Sequence, residues 1–384
     1  MSKKFIRVGE IYLTGEKNRF TKQFSGNIKI GIAQEKQTSE DRSKKHQTGN
    51  SHEIIILGKI KEVEDALVFE QKLHAYLSMR RLYGEWFVIA EDELPLLEAY
   101  GIILKDQVRV SVELLKNSKR LGEIKDNGLT REARDEEINL LKKLTNQKER
   151  LIISSNICKL CKAELIKLAG LGSGIEDVLS ITTKSGGKSF DKDQFMKDHP
   201  ELHEECMVVK PEGWESKFTS QTKINLKTLS PAIAELIKEI PADIHADRKK
   251  SKKLDRNEIT TQLHYQYLKH NREEELAKYA IQELELELKQ RTGEYLAIEG
   301  VSSWKRGETP AKKEFSSTVL QTKYPDLFAK YQVQKRDVWE TEVEKYRPYQ
   351  FEKEEISFES IYQYSSMEDI INESLTVLKK ENVH

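Results

Sequence analysis

The stretch FEQKLHAYLSMRRLYGEWFVI, residues 69–89, decides how the N-terminal part of the chain folds. Phe69, Leu73 and Leu77 recur at helical spacing and form one inward stripe. Glu70, His74 and Arg81 share a second face beside that stripe. The pattern predicts an amphipathic helix over residues 63–82, stopped by Gly84 and followed by an aromatic strand over 85–89. Such a helix sets a carboxylate, an imidazole and a guanidinium together at the edge of a core.

Around this helix the first 110 residues alternate between strand-like and helix-like segments. Strands are expected at 5–13, 28–33 and 53–60, a polar helix at 39–47 and a closing helix at 92–100. The order β-β-α-β-α-β-α describes a compact α/β sandwich. Beyond it, residues 130–169 and 254–291 carry long helical patterns that would pair with each other or with a second copy, a coiled-coil-like arrangement. The fold class expected is therefore α+β, a small α/β domain followed by a mainly helical region. Domain limits are expected at 1–110, 111–225, 226–335 and 336–384, the last with an acidic excess.

Each long helix leads into a similar passage, residues 174–206 and 297–331. Phe190 precedes His199-Pro200-Glu201-Leu202 by the offset that separates Phe315 from Tyr324-Pro325-Asp326-Leu327. Cys206 and Tyr331 fall at equivalent places, which predicts a duplicated unit.

Composition narrows the class. Lys plus Arg and Asp plus Glu are both 64 in 384 residues, so net charge argues neither for nor against nucleic acid. No apolar run approaches the roughly 18–20 residues of a membrane span. The opening MSKKFIRVGEIYL lacks the apolar core and cleavage site of a signal peptide, so a cytoplasmic protein is expected. Three cysteines are too few for a disulfide framework.

In the first domain, Gly9-Glu10-Ile11-Tyr12, Lys29-Ile30-Gly31, Arg42 before Thr48-Gly49-Asn50, Glu70 with His74, and Gly84-Glu85-Trp86-Phe87 follow in order. This series resembles the GIY-YIG nuclease superfamily, in its phage and bacterial branch with KIG in place of YIG. The resemblance covers residues 5 to about 95 and implies divalent-metal-dependent hydrolysis of DNA phosphodiesters. It implies Glu70 as the ligand of Mg²⁺ or Mn²⁺, Arg42 on the phosphate oxygens, and Tyr12 orienting or deprotonating the attacking water. Lys29 stands where the family has its second tyrosine; His74, one turn after Glu70, would orient that carboxylate or touch the scissile phosphate, and His46 is a spare acid–base candidate. The family's asparagine after the metal-bearing helix has no counterpart in residues 84–92, which leaves the leaving-group side unassigned. Outside that pattern, Glu70 is a solvated helix flank and Tyr12 a half-buried strand aromatic. Trp86 and Phe87 read as core.

Other signals are weaker. Arg248, Lys249, Lys250, Lys252 and Lys253 form a basic run, either a solvated loop or a phosphate contact. Cys158, Cys161, His203 and Cys206 have zinc-like spacing, but the first two continue an apolar helix stripe. Residues 255–331 resemble a segment of lambda-exonuclease (YqaJ-like) viral recombinases, which implies an association with phage DNA metabolism and no active site. Two functions follow: a DNA endonuclease, or a DNA-binding or assembly protein of phage recombination without turnover.

Overall fold

The computed structural model describes residues 7–33, 37–241 and 252–347, with residues 349, 376 and 378. It has the α+β class expected, a sheet domain followed by a mainly helical region. Strands β1 (Gly9–Lys17), β2 (Phe24–Ala33), β3 (Glu53–Val63), β4 (Arg81–Tyr83) and β5 (Trp86–Val88) form an antiparallel sheet, ordered β3-β1-β2-β5-β4. The predicted first strand began at residue 5, and its first two positions lie outside the described residues. The alternation along β1 and β2 sends Ile11, Leu13, Ile28 and Ile30 into the hydrophobic core. Tyr12 and Thr14 point to the opposite face and are also buried.

Helix α1 (Ser39–Gln47) lies across β1, β2 and β3 although it has no apolar stripe. Its buried residues are serines, and Ser39 Oγ donates to the Glu10 carboxylate. Thr38 and Asp41 cap its start reciprocally. Helices α2 (Ala66–Tyr76) and α3 (Leu94–Gly122) cover the other face, where Phe69, Leu73, Leu97 and Leu104 enter the core.

Two elements differ from expectation. Helix α2 ends at Tyr76, because a 3-10 turn at Ser78–Arg80 carries Arg80 inward onto Glu93. Both guanidinium nitrogens donate to that carboxylate, at 2.8 and 3.1 Å. Gly84 therefore stops no helix; with φ +50 it forms the turn between β4 and β5. Helix α3 runs well past residue 100, since Leu97, Tyr100, Leu104, Val108 and Val112 continue the inward spacing.

Helix α4 (Asp135–Leu168) pairs with the helix Glu258–Thr292 along most of their lengths. Leu140 and Leu144 meet Leu284 and Leu288, whereas Ile157 and Leu160 share a core with Leu263, so the two run antiparallel. The pairing is within the chain. Leu276 and Ala280 of the second helix also enter the N-terminal core, which seats the sheet domain on the hairpin. Among the described residues no helix is long and apolar enough to cross a membrane.

The duplicated passages fold alike and interlock. Each has two helices after a short strand, Lys192–Asp198 with Pro200–Glu205 and Ser317–Lys323 with Pro325–Lys330. Asp177 and Gly300 occupy the same turn, both with positive φ. The strand after each helix pair then joins the other copy. Met207 pairs with Phe315 and Gln332 with Phe190; Ser220 pairs with Ser302 and Val343 with Leu179. The registers of the two exchanges are identical. Equivalent rings face each other at the centre, with Phe190 and Phe315 stacked at 5.9 Å.

Candidate active site in the sheet domain

Sheet register brings the first residues together. Across β1 and β2, Tyr12 pairs with Gly31 and Thr14 with Lys29, so Tyr12 and Lys29 stand on the α1 face. From α1, His46 Nε2 lies 3.2 Å from the Tyr12 hydroxyl, and Arg42 lies beside that hydroxyl as well. The Tyr12 contact raises the guanidinium pKa of Arg42, burial opposes it, and Glu85 and Glu70 add to the rise. The Thr48-Gly49-Asn50 turn ends α1 and fixes its position. Asn50 Nδ2 donates to the buried Glu16 carboxylate at 2.7 Å, tying the turn to β1. Gly49, at φ +82, supplies the left-handed residue that turn requires.

Glu70 reaches the same patch from α2. Among the described residues its carboxylate makes no hydrogen bond or ion pair. Burial pushes its pKa up to about 7 and the Glu85 carboxylate adds to the rise, against Lys29 and Arg42. Lys29 Nζ contacts Glu85 at 2.9 Å. Burial pushes the Glu85 carboxyl up, but the Lys29 contact outweighs it and leaves the group below the usual carboxylate range.

His74 does not reach back to Glu70 with a hydrogen bond. Its Nε2 donates to the Ile30 carbonyl at 3.3 Å, which fixes the tautomer and leaves Nδ1 with its lone pair. Burial and the nearby Arg81 depress its pKa to about 4, so the ring is neutral at neutral pH. His46 is likewise held below its usual pKa by burial and by Lys29 and Arg42. Tyr12, Lys29, Arg42, His46 and Glu70 thus converge on one patch, with His74 on its α2 side. Residues 9–96 match the T5orf172 domain family. That is a phage-associated domain with nuclease-like or DNA-binding character, and DNA is the partner it implies. No curated protein and no solved structure matches the chain.

Glu85 is the member of the patch that residue patterns missed. It was legible only as part of the Gly84-Glu85-Trp86-Phe87 turn. What gives it a role is the pairing of β2 with β5, which sets Lys29 opposite Trp86, next to it.

The remaining candidates lie elsewhere. Arg248, Lys249 and Lys250 fall outside the described residues. Lys253 donates to Ser180 Oγ at 2.7 Å, and the Lys252 carbonyl accepts from the Ser173 amide at 3.4 Å, both on the first duplicated unit. Cys158 and Cys161 are buried in α4, and Cys158 Sγ donates to the Tyr267 carbonyl at 3.6 Å. Cys206 belongs to the separate aromatic core between the duplicated units, where His203 stacks on Phe315 at 4.8 Å. Among the described residues, no cluster of three or more His, Cys, Asp or Glu forms a metal site. A cation at the patch would therefore have Glu70 as its principal protein ligand. A partly buried carboxylate with no partner and a raised pKa fits that task, with water and substrate oxygens completing the shell.

Proposed function

We propose that the N-terminal domain is a divalent-metal-dependent endonuclease of DNA, working in the cytoplasm, with the helical region holding the duplex. The observation that carries this reading is the unpartnered Glu70 carboxylate set among Tyr12, Lys29, Arg42 and His46. When bound at Glu70, Mg²⁺ or Mn²⁺ would neutralise charge on the phosphate and acidify a coordinated water.

The chain's own groups have separable tasks. Arg42, with its planar fork, holds the non-bridging oxygens of the scissile phosphate. The Tyr12 hydroxyl orients the attacking water, and neutral His46, 3.2 Å from it, accepts the proton that the water loses. The water oxygen bonds to phosphorus, the bond to the leaving oxygen breaks, and the leaving oxygen takes a proton from solvent. Lys29 adds positive charge beside the phosphate, and Glu85 holds its ammonium in place.

The test compares cleavage of plasmid, single-stranded DNA and RNA by wild type, Glu70→Ala and Arg42→Ala with Mg²⁺ or Mn²⁺. Metal-dependent DNA cuts that vanish in both variants are expected; cutting that persists in Glu70→Ala overturns the ligand assignment. A second reading, DNA binding or assembly without turnover, is favoured by one observation. Lys29 replaces a phenol and is held in an ion pair with Glu85. Salt-sensitive binding without any cleavage would select it.

A further inference from the structure

A cavity of about 350 Å³ lies between α2 and the helix Glu258–Thr292, outside the patch just described. His74 and Arg81 line it from the sheet domain, and Asn271, Arg272 and Lys345 from the helical region. It therefore exists only where residues 9–96 meet the rest of the chain.

Among the described residues, two buried donors of residues that line it, Ser78 Oγ and Arg81 Nε, have no hydrogen-bond partner. Buried donors without partners are costly in a finished protein, so their presence on one cavity wall points to an acceptor that arrives from outside. Charge says which kind. Arg81 and Lys345 line the space, and among the described residues that line it the one acidic side chain, Glu275, is engaged by Lys278 at 2.8 Å. The Arg81 guanidinium carbon lies 5.3 Å from the centre of the Phe87 ring, a cation–π contact. His74 belongs to both places, one helical turn after Glu70 on α2. The cavity thus opens beside the candidate site.

We propose that this cavity takes one unpaired nucleotide of a DNA strand, gripping its phosphate through Ser78, Arg81 and Lys345. This rests on the nuclease reading and narrows its substrate to duplexes with an unpaired nucleotide beside the cut. The volume is large enough for a single nucleotide.

The measurement is fluorescence anisotropy of the full chain carrying Glu70→Gln, without metal, on labelled duplexes with and without a short 5′ or 3′ overhang. A preference of about tenfold for an overhang is expected, as one charged hydrogen bond supplies that much. Lys345→Glu, an exposed position, should abolish the preference without changing the melting temperature, and Arg81→Gln should also abolish the preference. Competition by a deoxynucleoside monophosphate, but not by inorganic phosphate at equal concentration, would place a nucleotide in the cavity. Equal affinity for blunt and overhanging duplexes overturns the proposal, as does a preference that survives both variants. Failure of the wild-type chain to cut the overhanging duplex with Mg²⁺ or Mn²⁺, with the overhang preference of Glu70→Gln intact, would sink the nuclease reading and leave the cavity standing.

Discussion

The Tyr12 ring lies against Gly31, its partner across β1 and β2, so closely that a Cβ there would meet the hydroxyl at 2.5 Å. The glycine is the space the tyrosine occupies. Gly31→Ala should displace the ring, cost about 1–3 kcal/mol of stability and lower any cleavage rate at least tenfold. Thermal unfolding and a plasmid assay read both effects. In a Tyr12→Ala background the stability cost of Gly31→Ala should shrink, because the two changes touch the same space.

Glu70 makes the site pH-dependent with a defined sign. Its folded pKa, about 7, lies above the unfolded value, so the folded state holds the proton more tightly. The stability this confers is present below about pH 4.5 and is lost as pH rises towards 7. At pH 8 the metal-free Glu70→Gln protein should therefore be more stable than wild type. Allowing for solvent screening at a partly open carboxylate, the gain is about 1–2 kcal/mol. Mn²⁺ affinity, measured by calorimetry, should rise from pH 6 to pH 8 as the proton leaves. Glu85→Gln removes a neighbouring negative charge and should move that midpoint to lower pH; an upward movement would contradict the electrostatics described.

His74 and His264 each add an acid-sensitive contribution to the stability of the fold, opposite in sign to those of Glu70 and Glu273. Burial depresses both to about 4, and His264 Nε2 donates to the Glu344 carbonyl at 2.7 Å. An unfolded histidine takes its proton near pH 6.5, so stability falls as pH drops through that value and goes on falling to about 4. Between pH 7 and pH 5 each should cost roughly 2 kcal/mol. Urea melts at the two pH values, on wild type and on His264→Gln, measure the difference. The change in stability between the two pH values should be less unfavourable in the variant by roughly 2 kcal/mol.

Arg150 of α4 is ion-paired with Glu273 of the facing helix, and both side chains are largely buried. Burial pushes the Glu273 carboxyl up to about 7 and, with the nearby Arg272, pulls Arg150 down. Glu273→Ala takes one partner from a buried guanidinium and should destabilise the chain by about 1–3 kcal/mol. Replacing both, as Arg150→Met with Glu273→Leu, should recover most of that in chemical denaturation.

Much of the sheet domain could be read from residues because its strands alternate and its helices have distinct faces. Ile11, Leu13, Phe69 and Leu73 identify their own burial. The end of α2 was not legible, since its cause is Arg80 reaching Glu93, a contact between side chains thirteen positions apart. Within the candidate site, Tyr12, Lys29, Arg42 and Glu70 were found through their order along the chain. Their convergence depends on sheet register and on a turn pinned by Asn50 and Glu16, which spacing alone does not encode. Glu85 and the cavity beside Arg81 are products of tertiary packing. The duplication was visible in Phe190, Phe315, Cys206 and Tyr331, whereas the crossing of strands between the two copies left no mark in either one.

That crossing has a consequence for how the chain is made. The segment Leu179–Lys184 pairs with the neighbouring Gly174–Ile175 along one edge, but its other edge finds a partner only when Val338–Val343 has been synthesised. At ribosomal speeds of about 5–20 residues per second, its edge waits roughly 8–30 s, open to any passing strand. Leu179 and Ile181 are apolar, while Lys184 at its end carries a charge that discourages foreign pairing. A nascent chain halted anywhere before residue 338 keeps that edge exposed, so truncated products of this protein should be the ones that aggregate.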